Sequence, residues 1–192
     1  FSGRPALDGK PLVPMWPLEL QSRDGKTLVS YLTLPPHADA NQDGKADAPV
    51  PMVLLVHGGP WARDAYGYSS YDQWLANRGY AVLSVNFRGS TGFGKEFTNA
   101  GDGEWAGKMH DDLIDAVDWA VDAGVTTSDK VAIMGGSYGG YATLVGLTFT
   151  PDTFACGVDI VGPANLNTLL ATVPPYWASF YNQLVRRMGD PQ

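Results

Sequence analysis

Cysteine is almost absent from this chain of 192 residues, which carries Cys156 alone. A single thiol excludes an intrachain disulfide and the cysteine-rich zinc sites. Its place in the apolar run "FACGVDIVG" predicts a buried structural thiol, the common fate of a free cysteine. The missing disulfide is silent on compartment, because domains of this size fold without one. Basic residues are also scarce, 13 against 20 acidic ones for a net charge of −7, and no Lys/Arg-rich run is present. Nucleic acid and anionic membranes are therefore poor partners. No stretch approaches the roughly 18 consecutive apolar residues of a membrane span. The opening "FSGRPALDGKPLVP" lacks the basic start and apolar block of a signal peptide. A chain that opens on Phe reads as a piece of something larger, so its localisation is not legible. Histidine is the last scarcity: there are three, and none follows His110.

What is present describes a globular domain with a substantial core, 44% hydrophobic and 17% charged. "PLELQS" and "KTLVSYLTL" flank the Asp-Gly turn signal in "RDGK", which predicts an antiparallel hairpin. Four short apolar runs follow, at 51–57, 80–87, 130–135 and 154–162, with the composition of strands buried on both faces of a parallel sheet. Between the second and third, "DDLIDAVDWAVDAG" sets Leu113, Ile114, Val117 and Val121 on one helical face. Acidic residues crowd its first turn, and Gly124 supplies a stop. Alternating strands and helices predict a three-layer α/β sandwich with a mostly parallel sheet and right-handed crossovers. The loop 39–51 places Asp39, Asn41, Asp43, Gly44 and Asp47 like the start of a calcium loop. It lacks the closing glutamate, and a solvated loop of turn-forming residues accounts for the same sequence.

The residues that carry chemistry lie in "VAIMGGSYGGYATL", 131–144, where Gly135, Gly136, Gly139 and Gly140 surround Ser137. Gly135-Gly136-Ser137-Tyr138-Gly139 fits G-x-S-x-G between a predicted strand and a predicted helix, the context of a nucleophile elbow. Such a serine sits at strained dihedrals on a sharp turn, and glycines keep side chains out of the neighbouring strand and helix. The helix start would place backbone N–H groups where an oxyanion develops, Tyr138 N–H first among them. A glycine-rich strand-to-helix turn can also bind phosphate, but neither GxGxxG spacing nor a GK[ST] ending is present. The run "VLLVHGGPWARD" puts His57, Gly58, Gly59 and Pro60 directly after the first buried run. Paired glycines there suit a second oxyanion donor, Gly59 N–H with Gly58 as the near alternative. His57 precedes the serine, against the Ser, Asp/Glu, His order of such folds, and is expected to shape the loop. His37 and His110 are expected at the surface.

"HGGPWARD", "VNFRGSTGFGKEF" and "GGSYGGYATL", in that order and spacing, resemble the catalytic domain of the prolyl oligopeptidase family, closest to its acylaminoacyl-peptidase-like branch. The resemblance spans about residues 16–190. It implies an α/β-hydrolase fold, a Ser137 nucleophile, an oxyanion hole of Gly59 and Tyr138, a structural Arg88, no cofactor, no metal, and peptide substrates. It further implies an upstream β-propeller, with residues 1–15 as its linker and 16–192 as a partial catalytic domain. The family's acid and histidine follow the serine by two further strands, so this fold is expected to be C-terminally incomplete. That leaves the fourth buried run as an exposed edge and the given chain inactive by itself, the missing C-terminal segment and the propeller being its partners in a longer protein. In the tail, Trp177, Phe180, Tyr181 and Leu184 at helical spacing are expected over the active-site mouth. The expected activity is that of a serine peptidase cleaving oligopeptides or N-acylated peptides. A carboxylesterase on the same fold and a non-catalytic fragment are the alternatives.

Overall fold

The computed structural model describes residues 4–189. The "RDGK" turn joins β1 (Met15–Gln21) and β2 (Thr27–Thr33) as antiparallel neighbours, with Met15 opposite Thr33 and Gln21 opposite Thr27. The four apolar runs become β3 (Met52–Val56), β4 (Ala81–Val85), β5 (Val131–Gly136) and β6 (Cys156–Ile160). The sheet order is β1-β2-β4-β3-β5-β6, with β4, β3, β5 and β6 mutually parallel and β2 antiparallel to β4. From β3 the chain crosses to β4 on one side and then returns to β5 on the other. The carboxyl ends of β3 and β5 therefore flank a topological switch, the place where an open α/β sheet leaves a crevice.

Alternating side chains divide the sheet's two faces. Leu54, Leu83 and Ile133 join one core with Met109, Leu113 and Ala116 of α3 (Lys108–Asp122) and Val145 of α4 (Tyr138–Phe149). Val53, Val82 and Met134 form a smaller cluster with Leu75 of α1 (Ser70–Ala76), and a short α2 (Lys95–Asn99) lies between β4 and α3. Helices on both faces make the three layers that the alternation predicts. In α3 the buried positions are Met109, His110, Asp112, Leu113, Ala116, Val117 and Ala120, so Ile114 and Val121 sit at the margin of the predicted face.

Two predicted placements are corrected. Cys156 is exposed, not buried. The face of β6 that carries Cys156 and Val158 continues the Met134 face of β5, where α1 contacts β2 and β4 instead, and among the described residues no helix covers it. His110 is buried, 6% exposed, with Nε2 hydrogen bonded to Thr150 Oγ1 at 3.0 Å. Its ring meets the carboxyl end of α4, and burial pushes its pKa down. His37 is exposed as expected.

The loop 39–51 is organised by its own hydrogen bonds. Trp16 Nε1–H donates to Asp39 Oδ2 (3.0 Å) and Asp43 N–H donates to Asp39 Oδ1 (2.8 Å), which ties the loop to β1. Asp39 thus turns its oxygens to N–H donors of Trp16, Asp43 and Gly44, while Asn41 and Asp43 each accept from the N–H two residues on, as in Asx turns. No group of three or more metal-ligating side chains is assembled among the described residues.

Candidate active site

Ser137 stands between the last residue of β5 and the first of α4, at φ 56° and ψ −116°. A non-glycine residue at positive φ costs about 1–3 kcal/mol and persists only where its surroundings over-determine it. Ser137 N–H donates to the Ile160 carbonyl of β6 (2.9 Å), and the Ser137 carbonyl accepts from Tyr141 N–H of α4 (3.0 Å), which fixes the turn at both ends. The helix then starts directly above the end of β3. A Cβ at Gly139 would land on the Val56 carbonyl, so this close approach admits no side chain. The serine itself is exposed while both neighbouring residue runs are buried. The chain spends strain to present one hydroxyl.

Two backbone donors border it. Tyr138 is the first residue of α4, so its N–H has no partner within the helix. Gly59 follows β3 at φ 122°, where a side chain would be strained and would press on Trp61 N at 2.7 Å. Among the described residues no acceptor takes up either N–H. Gly59, Ser137 and Tyr138 share one cavity of about 600 Å³. Gly58 lies just behind: its Cβ would stand 3.5 Å from Ser137 Cβ and 3.0 Å from the Gly136 carbonyl oxygen. The structure thus brings together the three residues picked from sequence. Such an arrangement of donors beside a hydroxyl can stabilise the oxyanion formed when an oxygen nucleophile attacks a carbonyl.

The cavity walls come from further along the chain. Val161 and Trp105 line it with Leu169 of α5 (Leu166–Thr172), Trp177, and Phe180 and Leu184 of a helix over residues Ala178–Met188, α6. Three of the four tail residues expected at the mouth are therefore there, and Tyr181 is exposed outside it. The floor is stiffened by rings. Tyr138 packs against Phe87, Trp105 and Tyr141 with centroids 5.3, 4.8 and 5.9 Å apart. Burial pushes the Tyr138 phenol well above its ordinary pKa, so it stays neutral.

None of the three histidines serves Ser137. His57 stacks on Phe87 (4.5 Å, 15°) and both its nitrogens are engaged, Nδ1 with Gly58 O (2.8 Å) and Nε2 with Ser90 Oγ (2.9 Å). Burial pushes its pKa down. His110 bonds Thr150 at the carboxyl end of α4, while Ser137 caps the amino end, about 18 Å away by helix rise.

Arg88 is 2% exposed and holds the loop after β4 in place. Its guanidinium donates to both oxygens of Asp112 (2.6 and 2.9 Å) and both of Asp24 (2.7 and 2.8 Å), while its backbone N–H also donates to Asp112 (2.8 Å). Burial pushes the Asp112 carboxyl up against these bonds, whereas Arg88 holds the more exposed Asp24 well below the carboxylate range. Losing one partner of such a buried pair costs about 3–5 kcal/mol. Sequence reasoning assigned Asp112 to the helix dipole and missed this ion pair. The signal was available, since 109, 112, 113, 116, 117 and 120 follow the 3.6-residue period.

The sheet order, the strained serine and the paired donors define an α/β-hydrolase-type site. The family model described as the prolyl oligopeptidase family (Peptidase_S9) matches residues 66–185. The chain belongs to that family. It is 83% identical over 192 residues to dipeptidyl aminopeptidase BIII of Pseudoxanthomonas mexicana, covering 100% of this chain and 28% of that protein. Acylamino-acid-releasing enzyme 1 of Oryza sativa subsp. japonica is 33% identical over 134 residues, 69% of this chain and 17% of that protein. Acylaminoacyl peptidase of Pyrococcus horikoshii superposes with a TM-score of 0.84 at 22% identity, over 100% of this chain and 29% of that one, and bears on the fold. The chain spans less than a third of the length of these relatives.

Proposed function

We propose that this chain is the nucleophile-bearing part of a serine peptidase catalytic domain. Ser137 Oγ attacks the scissile carbonyl carbon, Gly59 N–H and Tyr138 N–H receive the oxyanion, and collapse expels the amine to leave an acyl-enzyme that water hydrolyses. The observation that carries this reading is the exposed serine at φ 56° sharing a cavity with two backbone N–H groups. A base must take the Ser137 proton and return it to the leaving amine, and a carboxylate must orient that base. No histidine among the described residues reaches Ser137, so base and acid are assigned to the remainder of a longer protein. Met15, placed in the linker from sequence, opens β1 opposite Thr33, so residues 1–14 are assigned to a linker from an upstream domain and 15–192 to part of the catalytic domain. The apolar cavity suits an apolar side chain on the acyl side of the scissile bond. The 83% identical relative is named a dipeptidyl aminopeptidase, which favours release of dipeptides over removal of N-acylated residues.

A fluorophosphonate probe on the full-length protein tests this. Labelling of Ser137, lost in Ser137→Ala, is expected, together with turnover of dipeptidyl chromogenic amides and little of N-acetyl-aminoacyl ones. An unlabelled Ser137 ends the enzyme reading. Labelling with turnover of simple esters alone replaces the peptidase by a carboxylesterase.

A further inference from the structure

We propose that Arg187 is a positioning residue: with Asp102 it clasps α6 to the body of the domain and so sets the width of the pocket that takes the acyl-side side chain. The inference rests on the reading of Ser137 as nucleophile and of the adjoining cavity as that pocket.

The cavity has two unlike sides. Gly59, Ser137 and Tyr138 belong to the end of the sheet and the start of α4, whereas Phe180 and Leu184 belong to α6. Residues 178–183, which open α6, are all exposed, and among the described residues of that helix Leu184 alone is buried. A wall packed so lightly needs another tie to hold one position. Phe180, Leu184 and Arg187 stand at i, i+4 and i+7, one stripe of a helix. The stripe that lines the cavity therefore ends on a guanidinium. The helix dipole favours a cation in this last turn. The exposed Arg186 serves it equally, which leaves the inward turn of Arg187 to be explained by its contacts.

Arg187 is held by both its side chain and its backbone. Its Nη1 donates to Asp102 Oδ1 (2.8 Å) and its Nη2 to Asn99 Oδ1 (3.4 Å), while its carbonyl accepts from Gly103 N–H (2.7 Å). The paired side chains are 17% and 32% exposed, so salt screens them less than a fully exposed pair. The guanidinium also lies over the Trp61 ring, 5.5 Å from its centroid and within cation–π range. Trp61 follows Gly59 by two residues and meets Trp105, which also lines the cavity, at 6.3 Å. The receiving segment, 99–103, is itself fixed. A Cβ at Gly101 would stand 2.8 Å from Gly89 Cα and 3.1 Å from the Arg88 carbonyl oxygen, so the two backbones pack directly. Arg88 in turn is anchored on Asp112. One side chain thus ties the α6 wall to the loop after β3 and to the segment before α3. Arg187 acts through Phe180 and Leu184 and touches no reacting atom.

The test uses the full-length protein with Arg187→Met, which keeps an apolar stem and removes the charge and the donors, and Asp102→Ala, which removes the acceptor. kcat and KM are measured on dipeptidyl chromogenic amides that carry alanine or leucine on the acyl side of the scissile bond, beside the rate at which a fluorophosphonate labels Ser137. A methylene in a fitted apolar pocket is worth about tenfold or more in kcat/KM, so Arg187→Met is expected to cut the leucine-over-alanine preference about tenfold. The loss should appear as a higher KM on the leucine amide with kcat nearly unchanged, the mark of lost uniform binding. The alanine amide and the labelling rate should stay near wild type, because β3, β5 and α4 hold the nucleophile and its donors. Asp102→Ala should act in the same way, and the double variant should lose no more than the larger single effect. An unchanged preference in folded Arg187→Met overturns the proposal, as do additive losses in the double variant or a fall in kcat on both amides with slowed labelling. A labelled wild-type protein with no leucine preference overturns it as well, through the pocket assignment. If Arg187→Met does not fold, Asp102→Ala decides by the same readouts. An unlabelled Ser137 in the wild-type protein instead overturns the proposed function itself, which separates the two failures.

Discussion

β5 and β6 run side by side in parallel register, Met134 beside Val158 and Ile133 beside Gly157, and both are apolar in sequence. β5 is buried along most of its length, whereas no residue of β6 is. The difference lies in the layers. β5 has α4 and α3 on one face and the Val53, Val82 and Leu75 cluster on the other. β6 has α4 on one face, where a Cβ at Gly157 would meet Thr143 and Leu147 at 2.8 Å, and no helix among the described residues on the other. Strand burial is therefore a property of the neighbours. Composition reports what a strand tolerates, not what covers it. Function follows the same division, since the fixed geometry sits at the carboxyl ends of β3 and β5 and the more exposed α5 and α6 supply the cavity wall.

The largest expected effect breaks the tightly specified side of this comparison. In Gly139→Ala the new methyl meets the Val56 carbonyl, and neither β3 nor the first turn of α4 can retreat without moving Ser137. Overpacking of this kind costs about 3 kcal/mol or more when backbone is the obstacle. Gly136→Ala is the control from the same turn. Its nearest obstacle is the Ile160 carbonyl oxygen at 3.8 Å, an ordinary contact. Alanine also loses less freedom on folding, so that change should stay within about 1 kcal/mol. Urea midpoints and fluorophosphonate labelling of the two variants check this. Equal losses would mean that the turn is specified by something other than the approach of α4 to β3.

The glycines also mark what sequence could tell. The strand–serine–helix turn, the oxyanion glycines and the hairpin were legible because each is local, fixed by residues within one turn of one another. Family membership was legible for the same reason, through three short motifs in order. Cys156 and His110 were misplaced because their surroundings are set from elsewhere: the position of α1 over β2 and β4 for one, and the seating of α3 against the end of α4 for the other. Asp112 was read as a dipole charge because its partner, Arg88, lies 24 positions away. The cavity wall was anticipated through Trp177, Phe180 and Leu184, but not through Trp105, whose contacts join distant segments.

The next effect concerns a charge on the well-packed side. Asp64, in the loop between β3 and α1, has Oδ2 buried without a partner. Burial first, and then the neighbouring Asp72, push its carboxyl up to about 7. Asp72 is itself 2% exposed and accepts from Thr33 Oγ1 (3.0 Å). An unfolded Asp titrates near about 3.9, so between these values the folded state binds more protons than the unfolded state. Stability therefore falls as pH rises from about 4 to about 7 and changes little above that. Allowing for partial exposure, the drop should be about 2 kcal/mol. Asp64→Asn removes the charge and should flatten this slope, so its Tm advantage over wild type should be small at pH 4.5 and widen by pH 8. Parallel Tm–pH curves would show that Asp64 is solvated or paired.

The smallest effect sharpens the other side. Val158 is 49% exposed on the uncovered face of β6, with the Cys156 thiol on the same face. Substitutions at such positions fall within about 0.5 kcal/mol, so Val158→Thr should barely shift the urea midpoint of the 192-residue chain. Cys156 should react there with a thiol reagent at nearly its unfolded rate. The proposed longer protein changes the expectation, because further chain packing over this face would bury both residues. In that protein Val158→Thr should cost about 1–2 kcal/mol, as for a polar group placed in a core, and Cys156 should be protected until unfolding. Measured side by side, the two contexts decide whether β6 is an edge by design or an interior strand seen without its cover. An identical response in both would make its exposed apolar face a property of the longer folded protein.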